Sequence, residues 1–185
     1  MQQARELTGA DYCVVLMSGS FVQRGEPAIF DKYLRTKTAL LAGADLVLEI
    51  PAAFSTASAH EFAAYGVALL SAIGVDAAVF GSECGQIEIL KQAAYALNHE
   101  SAEFQERLRK GLKAGLTYPQ ARAKALEMED TRASVLSSPN NILGIEYLRA
   151  AEDLHRIVPG SCVKERRNRV HLRVWSLPES EFPLR

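Results

Sequence analysis

Gly43-Ala-Asp-Leu-Val-Leu-Glu-Ile-Pro51 decides the fold. Its first half reads as a turn, because a glycine can take the left-handed conformation that closes a helix. Its second half is an apolar run of strand length that stops at a proline. The same spelling recurs on either side. Gly9-Ala-Asp11 precedes Tyr12-Cys-Val-Val-Leu-Met17, and Gly74-Val-Asp76 precedes Ala77-Ala-Val-Phe80. Runs that are apolar without alternation are typical of strands covered on both faces, as parallel strands are.

Helical patterns fill the gaps at 31–42 and 58–72, and strands alternating with helices predict an α/β architecture built on a parallel sheet. Ser58-Ala-His-Glu61 spells a capping box, and the run behind it, Phe62 to Leu70, is apolar nearly all round, which predicts a buried helix. From Gln86 the pattern changes to more charged helices, expected at 86–97, 101–112, 119–127 and 141–150. Pro119 suits a first helical position and Asn140 an N-cap. The expected organisation is an α/β core over 1–84, a helical part over 85–158 packing on it, and an irregular basic tail over 159–185 that contains Lys164-Glu-Arg-Arg-Asn-Arg169.

Composition narrows the function classes. A chain of 185 residues that is 48% hydrophobic can build a core. Twenty-one basic against 22 acidic residues leave a net charge of −1, so no global field attracts polyanions and any nucleic-acid contact must come from a local patch. Three scattered cysteines, Cys13, Cys84 and Cys162, show neither zinc spacing nor a disulfide framework, and the four histidines, His60, His99, His155 and His171, lack metal-ligand spacing. No metal site is expected. With no membrane-length apolar run and no signal-peptide pattern, the expected location is the cytoplasm.

Ligands in open α/β sheets bind beyond the carboxyl ends of the strands, so the segments that follow each strand carry the functional reading. After the first comes Ser18-Gly-Ser-Phe-Val-Gln-Arg-Gly-Glu-Pro-Ala28, leading to Asp31, Lys32 and Arg35. Glycines there permit close backbone approach and Arg24 offers a planar fork for an anion; a surface loop with an Arg24–Glu26 pair and an Asp31 helix cap is the equal alternative. Glu49 sits in an apolar run, where a carboxylate needs a partner, and Lys32 or Arg35 is the expected one. Gly81 in Phe80-Gly-Ser-Glu83 would let a planar ligand approach, against a plain turn in which Ser82 or Glu83 caps the next helix. Ser138-Pro-Asn-Asn-Ile-Leu-Gly144 opens a helix whose N–H groups suit a phosphate or carboxylate, and asparagine amides can read an adenine edge. No nucleophile elbow, Walker loop or G-x-G-x-x-G fingerprint is present.

Taken in order, Leu7-Thr-Gly-Ala-Asp11, Met17-Ser-Gly-Ser-Phe-Val-Gln-Arg-Gly-Glu-Pro-Ala28, Asp31-Lys32 with Arg35, Asp45-Leu-Val-Leu-Glu-Ile-Pro51, Val79-Phe-Gly-Ser-Glu83, Tyr118-Pro-Gln-Ala-Arg122 and Pro139-Asn-Asn-Ile-Leu-Gly-Ile-Glu-Tyr147 resemble the bacterial tRNA(Met) cytidine acetate ligases. The resemblance implies a Rossmann-like nucleotidyltransferase parallel sheet with helices on both faces, plus a C-terminal helical part. It implies that ATP, with Mg, and acetate form acetyl-adenylate and that the acetyl group passes to the wobble cytidine of elongator tRNA(Met). It places ATP contacts at Gly81, at Asn140 or Asn141, and at Lys164, and phosphate charge at Arg24, Lys32 and Arg35. The family pattern opens with a strand and an Asn-Pro-Phe-His-Asn-Gly-His segment that this sequence starts beyond, so a sheet with its first strand missing and a shortened chain are expected. General adenylyl transfer to a small metabolite and a non-catalytic nucleotide- or RNA-binding module stay open beside the ligase reading. The sequence leaves the oligomeric state open.

Overall fold

The computed structural model describes residues 1–127, 135–136, 138–157 and 173–178. In chain order the elements are α1 (Gln2–Thr8), β1 (Val14–Ser18), α2 (Lys32–Leu41), β2 (Leu46–Ile50), α3 (Ala52–Ser55), α4 (Ala59–Ala72), β3 (Ala77–Ser82), α5 (Ile87–Asn98), α6 (Ala102–Lys113), α7 (Tyr118–Glu127), α8 (Pro139–Ile157) and β4 (Arg173–Pro178). They form two compact units, one from Met1 to Ala77 and a second that starts at Ala78. This division falls just inside β3, ahead of the boundary read from the sequence at residue 84.

In the first unit β1 and β2 pair in parallel, from Val14 opposite Leu46 to Ser18 opposite Ile50. The Gly-x-Asp turns explain how the chain re-enters the sheet. Gly9, Gly43 and Gly74 all have positive φ (68°, 100° and 77°), the left-handed region in which a side chain is strained. Asp45 then fastens β2 to β1: its carboxylate accepts a hydrogen bond from the Cys13 N–H at 2.6 Å and one from the Arg5 guanidinium at 2.5 Å. The Cys13 N–H and then Arg5 hold this carboxyl below its ordinary value of 3.8. A depressed carboxyl contributes stability that is present above its unfolded pKa of about 3.9 and is lost as pH falls through the lower folded value. Asp45→Asn is therefore expected to lower the urea midpoint at pH 7, and the gap from the parent protein should close in titrations below roughly pH 4.

The capping box forms as read: Ser58 Oγ accepts from the Glu61 N–H and the Glu61 carboxylate accepts from the Ser58 N–H. Along α4, Ala63, Gly66 and Val67 are buried, a stripe rather than the whole circumference expected from its apolar sequence. The stripe lies against β1, where the Leu16 methyl comes within 3.5 Å of the space a Gly66 side chain would fill.

The second unit is built around Leu90, Ala94 and Leu97 of α5, Phe104 of α6, Ala125 of α7 and Ile145 of α8. Two predicted helix starts shift. Tyr118 rather than Pro119 opens α7, and Pro139 opens α8, so Asn140 is not its N-cap. The fixed φ of proline and its missing N–H suit the first helical position, which moves the cap back to Ser138. β3 is hydrogen-bonded to β4. β4 lies in the segment expected to be irregular, where Val174 and Trp175 are strand formers whose signal was hidden by the preceding charges and by Pro178.

Candidate functional site

In the first unit the segment after β1 is a tight loop. Phe21 and Pro27 form an antiparallel bridge, the Val22 N–H donates to Glu26 O at 2.9 Å, and Ser55 Oγ donates to Phe21 O at 2.9 Å. Asp31 caps α2, accepting from the Leu34 N–H at 2.8 Å. Arg35 closes the loop from below: its guanidinium donates to Phe30 O at 3.0 Å, to Ser18 O at 2.9 Å and to Gly19 O. Three carbonyls thus occupy Nε and one terminal nitrogen of Arg35, which the family resemblance had placed among the phosphate cations, and these bonds shape the loop.

Lys32 Nζ meets both Glu49 oxygens, at 3.1 and 2.8 Å. This is the ion pair expected for Glu49, but the carboxylate is 46% exposed, so its apolar sequence neighbours do not bury it. The hydrogen bond to Glu49, reinforced by its charge, raises the Lys32 pKa above 10.5 and keeps the ammonium charged at neutral pH. A Cβ at Gly19 would displace the Glu49 carboxylate, the movable end of that side chain, from its place beside Lys32. The Arg24 side chain lies outside the described residues; its backbone is in a 3-10 turn over Gln23–Gly25.

In the second unit the end of β3 meets the start of α8. Glu83 supplies both of its carboxylate oxygens to this helix, accepting from the Asn140 N–H at 3.0 Å and from the Asn141 N–H at 2.8 Å. In return Asn141 Oδ1 accepts from the Cys84 N–H at 3.1 Å. Asn141 is 2% exposed, and Ser82 is fully buried with its hydroxyl accepting from the Gly85 N–H at 3.0 Å. Gly81, in β3, lies two residues before Glu83 in the chain. The contacts correct two expectations. Ser82 closes a turn instead of capping α5, and the N–H groups of α8 that would suit a ligand anion already hold a carboxylate of this chain. A negative group is favoured there because it meets the positive end of the helix dipole. The sequence offered Glu83 only as an alternative cap for the nearer helix, since nothing local points to a partner 57 residues away.

Behind that corner lies a buried ionic cluster absent from the sequence reading. Glu146 of α8 is 3% exposed and binds Arg122 of α7 at 3.2 Å and Arg149 of α8 at 2.7 Å. Arg149 Nε donates to Asn98 Oδ1 at 2.8 Å, and Asn98 Nδ2 donates to Glu152 at 2.9 Å. Tyr147, packed against Phe80 with ring centroids 5.5 Å apart, has its pKa pushed up by burial. Lys164 and the basic run around it lie outside the described residues.

The order of strands and helices, the glycine-led turns and a helix N-terminus set against a strand end define a nucleotidyltransferase-type α/β protein. The family model described as HIGH Nucleotidyl Transferase matches residues 1–176, and the chain belongs to that family. Within it the chain is similar to the tRNA(Met) cytidine acetate ligases of Caldicellulosiruptor bescii, 46% identical over 80% of this chain, and of Acetivibrio thermocellus, 46% identical over 81%. In both cases the chain spans 37% of the relative's length. Among solved structures it is similar to Thermotoga maritima TmcAL bound with alpha-thio ATP, with a TM-score of 0.81 and 36% identity over 98% of this chain and 43% of that one. The apo form of the same protein covers 96% of this chain, also at a TM-score of 0.81. Among the described residues no helix is long and apolar enough to cross a membrane.

Proposed function

We propose that this chain binds ATP and forms part of an ATP-dependent acetate ligase that makes N4-acetylcytidine at the wobble position of elongator tRNA(Met). The observation that carries the reading is its likeness, over 98% of its length, to a protein solved with alpha-thio ATP. The names of the curated relatives support acetate and tRNA(Met) as the other substrates.

The chemistry has two steps. An acetate oxygen attacks the α-phosphorus of ATP, and the bond to pyrophosphate breaks. The exocyclic N4 of cytidine then attacks the acetyl carbonyl, AMP departs, and N4 gives up a proton. Neither step needs a covalent enzyme nucleophile; both need positive charge against phosphate oxygens and exclusion of water from the anhydride. Lys32 is the cation best suited to the first need, being charged and, among the described residues, in an ion pair with Glu49 alone, the carboxylate it would exchange for a phosphate. Arg24 is a second candidate. Arg35 shapes the loop that presents them. Gly81 and Asn140 at the α8 start are assigned to the nucleotide, with Asn141 holding the turn behind them, and Lys164 is assigned to its phosphates. Magnesium would arrive on the triphosphate; no group of three His, Cys, Asp or Glu side chains among the described residues is placed to hold an ion, and no step is assigned to one.

Lys32→Ala is expected to slow pyrophosphate release about tenfold, the modest loss of an exposed cation rather than of a buried one. The reading itself is tested by measuring pyrophosphate release with and without acetate, followed by mass analysis of nucleosides from added tRNA(Met). Acetate-dependent release with N4-acetylcytidine as product supports it. AMP retained on a small acceptor would indicate adenylyl transfer instead, and ATP binding without pyrophosphate release would indicate a non-catalytic module.

A further inference from the structure

We propose that Glu83 and Asn141 form a clamp that positions the nucleotide corner, so that Glu83 is a positioning residue for ATP binding rather than a ligand of it. The proposal rests on the nucleotide reading given above and concerns the same corner.

The orphan donors of α8 can be counted at its first turn. Pro139, at the first helical position, has no N–H. The Ile142 N–H already donates to Ser138 O at 3.0 Å. The Asn140 and Asn141 N–H groups lie between them, and each meets a separate oxygen of Glu83, at 3.0 and 2.8 Å. A carboxylate gripping two successive N–H groups fixes both the distance of the helix from β3 and its rotation about its own axis. The return bond from the Cys84 N–H to Asn141 Oδ1, at 3.1 Å, closes a ring between 83–84 and 140–141.

Asn141 is 2% exposed and its amide oxygen is used in this ring, so its side chain belongs to the clamp. Gly81 lies two residues before Glu83 and Asn140 sits on the clamped turn. Their separation, on which a ligand touching both would depend, is therefore set by Glu83. A glutamine keeps the shape but replaces one acceptor oxygen with a donor, which faces an N–H and cannot bond to it.

Glu83→Gln is expected to weaken ATP binding about tenfold by calorimetry on folded protein, and Glu83→Ala by more, as the loss of one or both charge-assisted bonds implies. Ser58→Ala, which removes the α4 capping box in the other unit, is the control: it should lower the urea midpoint and leave the Kd for ATP unchanged. A purely structural Glu83 would behave like Ser58, with the Kd of the folded variants unaltered, and that result overturns the proposal. A second measurement needs no variant: on ATP titration the backbone amide resonances of Cys84, Asn140 and Asn141 should shift together, and resonances that stay in place at saturating ATP overturn it as well. Absence of any ATP binding by the parent protein would overturn the nucleotide reading and the clamp with it, whereas tight parent binding unaffected by Glu83→Gln removes the clamp alone.

Discussion

Glu146→Ala should destabilise the second unit by about 3–5 kcal/mol, the usual consequence of removing one partner from a buried ion pair. The side chain is 3% exposed and is shared by two guanidinium groups, Arg122 at 3.2 Å and Arg149 at 2.7 Å. Both arginines are mostly covered, with side chains 18% and 17% exposed. Arg122 Nε has no hydrogen-bond partner among the described residues, so this arginine relies on Glu146 more heavily than a surface arginine would. Without the carboxylate, two cations would face each other out of water. The measurement is a urea titration followed by tryptophan-independent far-UV circular dichroism, and its sharpest control is the triple replacement Arg122→Leu, Glu146→Leu and Arg149→Leu, which leaves no member of the cluster without its partner. Because the desolvation of a buried ionic cluster offsets most of its attraction, the triple variant should recover a large part of the loss. A single variant as stable as the parent would mean that water already reaches the cluster.

Gly144→Val should cost about 3 kcal/mol, near the upper end of what overpacking usually produces. Gly144 lies on α8 where the Phe80 ring crosses it, and a Cβ built at that glycine would overlap the ring. Its neighbours leave Phe80 little room: the ring packs on the core of the unit and against Tyr147 at 5.5 Å. The helix must therefore move away from β3 or the ring must leave its rotamer. Since Phe80 immediately precedes Gly81, either movement should also weaken ATP binding. Thermal unfolding and the Kd for ATP are the two readouts, and a variant with parent-like values for both would show that β3 and α8 are not in close contact.

What was legible in the sequence was local. Gly-x-Asp before each apolar run marked all three strand entries because a left-handed glycine and a strand period are written in adjacent residues. The Ser58–Glu61 box and the Asp31 cap were legible for the same reason. The function of Asp45 as a staple between two strands was not, because its partners Arg5 and Cys13 lie 40 and 32 residues away. Glu83 was considered, with Ser82, only as a cap for the helix that follows it, since a carboxylate near two helix starts carries no mark of which one it caps. Arg35 was expected to pair with Glu49 or, through the family resemblance, to meet phosphate, yet it donates to carbonyls of a loop 16 and 17 residues upstream. The Arg122–Glu146–Arg149 cluster was hidden because charged residues at helical spacing look the same on a solvated face and in a buried contact. Residue types advertised the donors and acceptors, while the partners were chosen by tertiary packing.

The most direct test of the nucleotide-binding reading is calorimetric titration of this protein with ATP, with GTP as the comparison. We expect ATP to bind with a dissociation constant in the micromolar range and GTP to bind measurably more weakly. No heat of binding for ATP at millimolar concentration, or equal affinity for both nucleotides, would contradict the assignment of Gly81 and the α8 start to an adenine nucleotide.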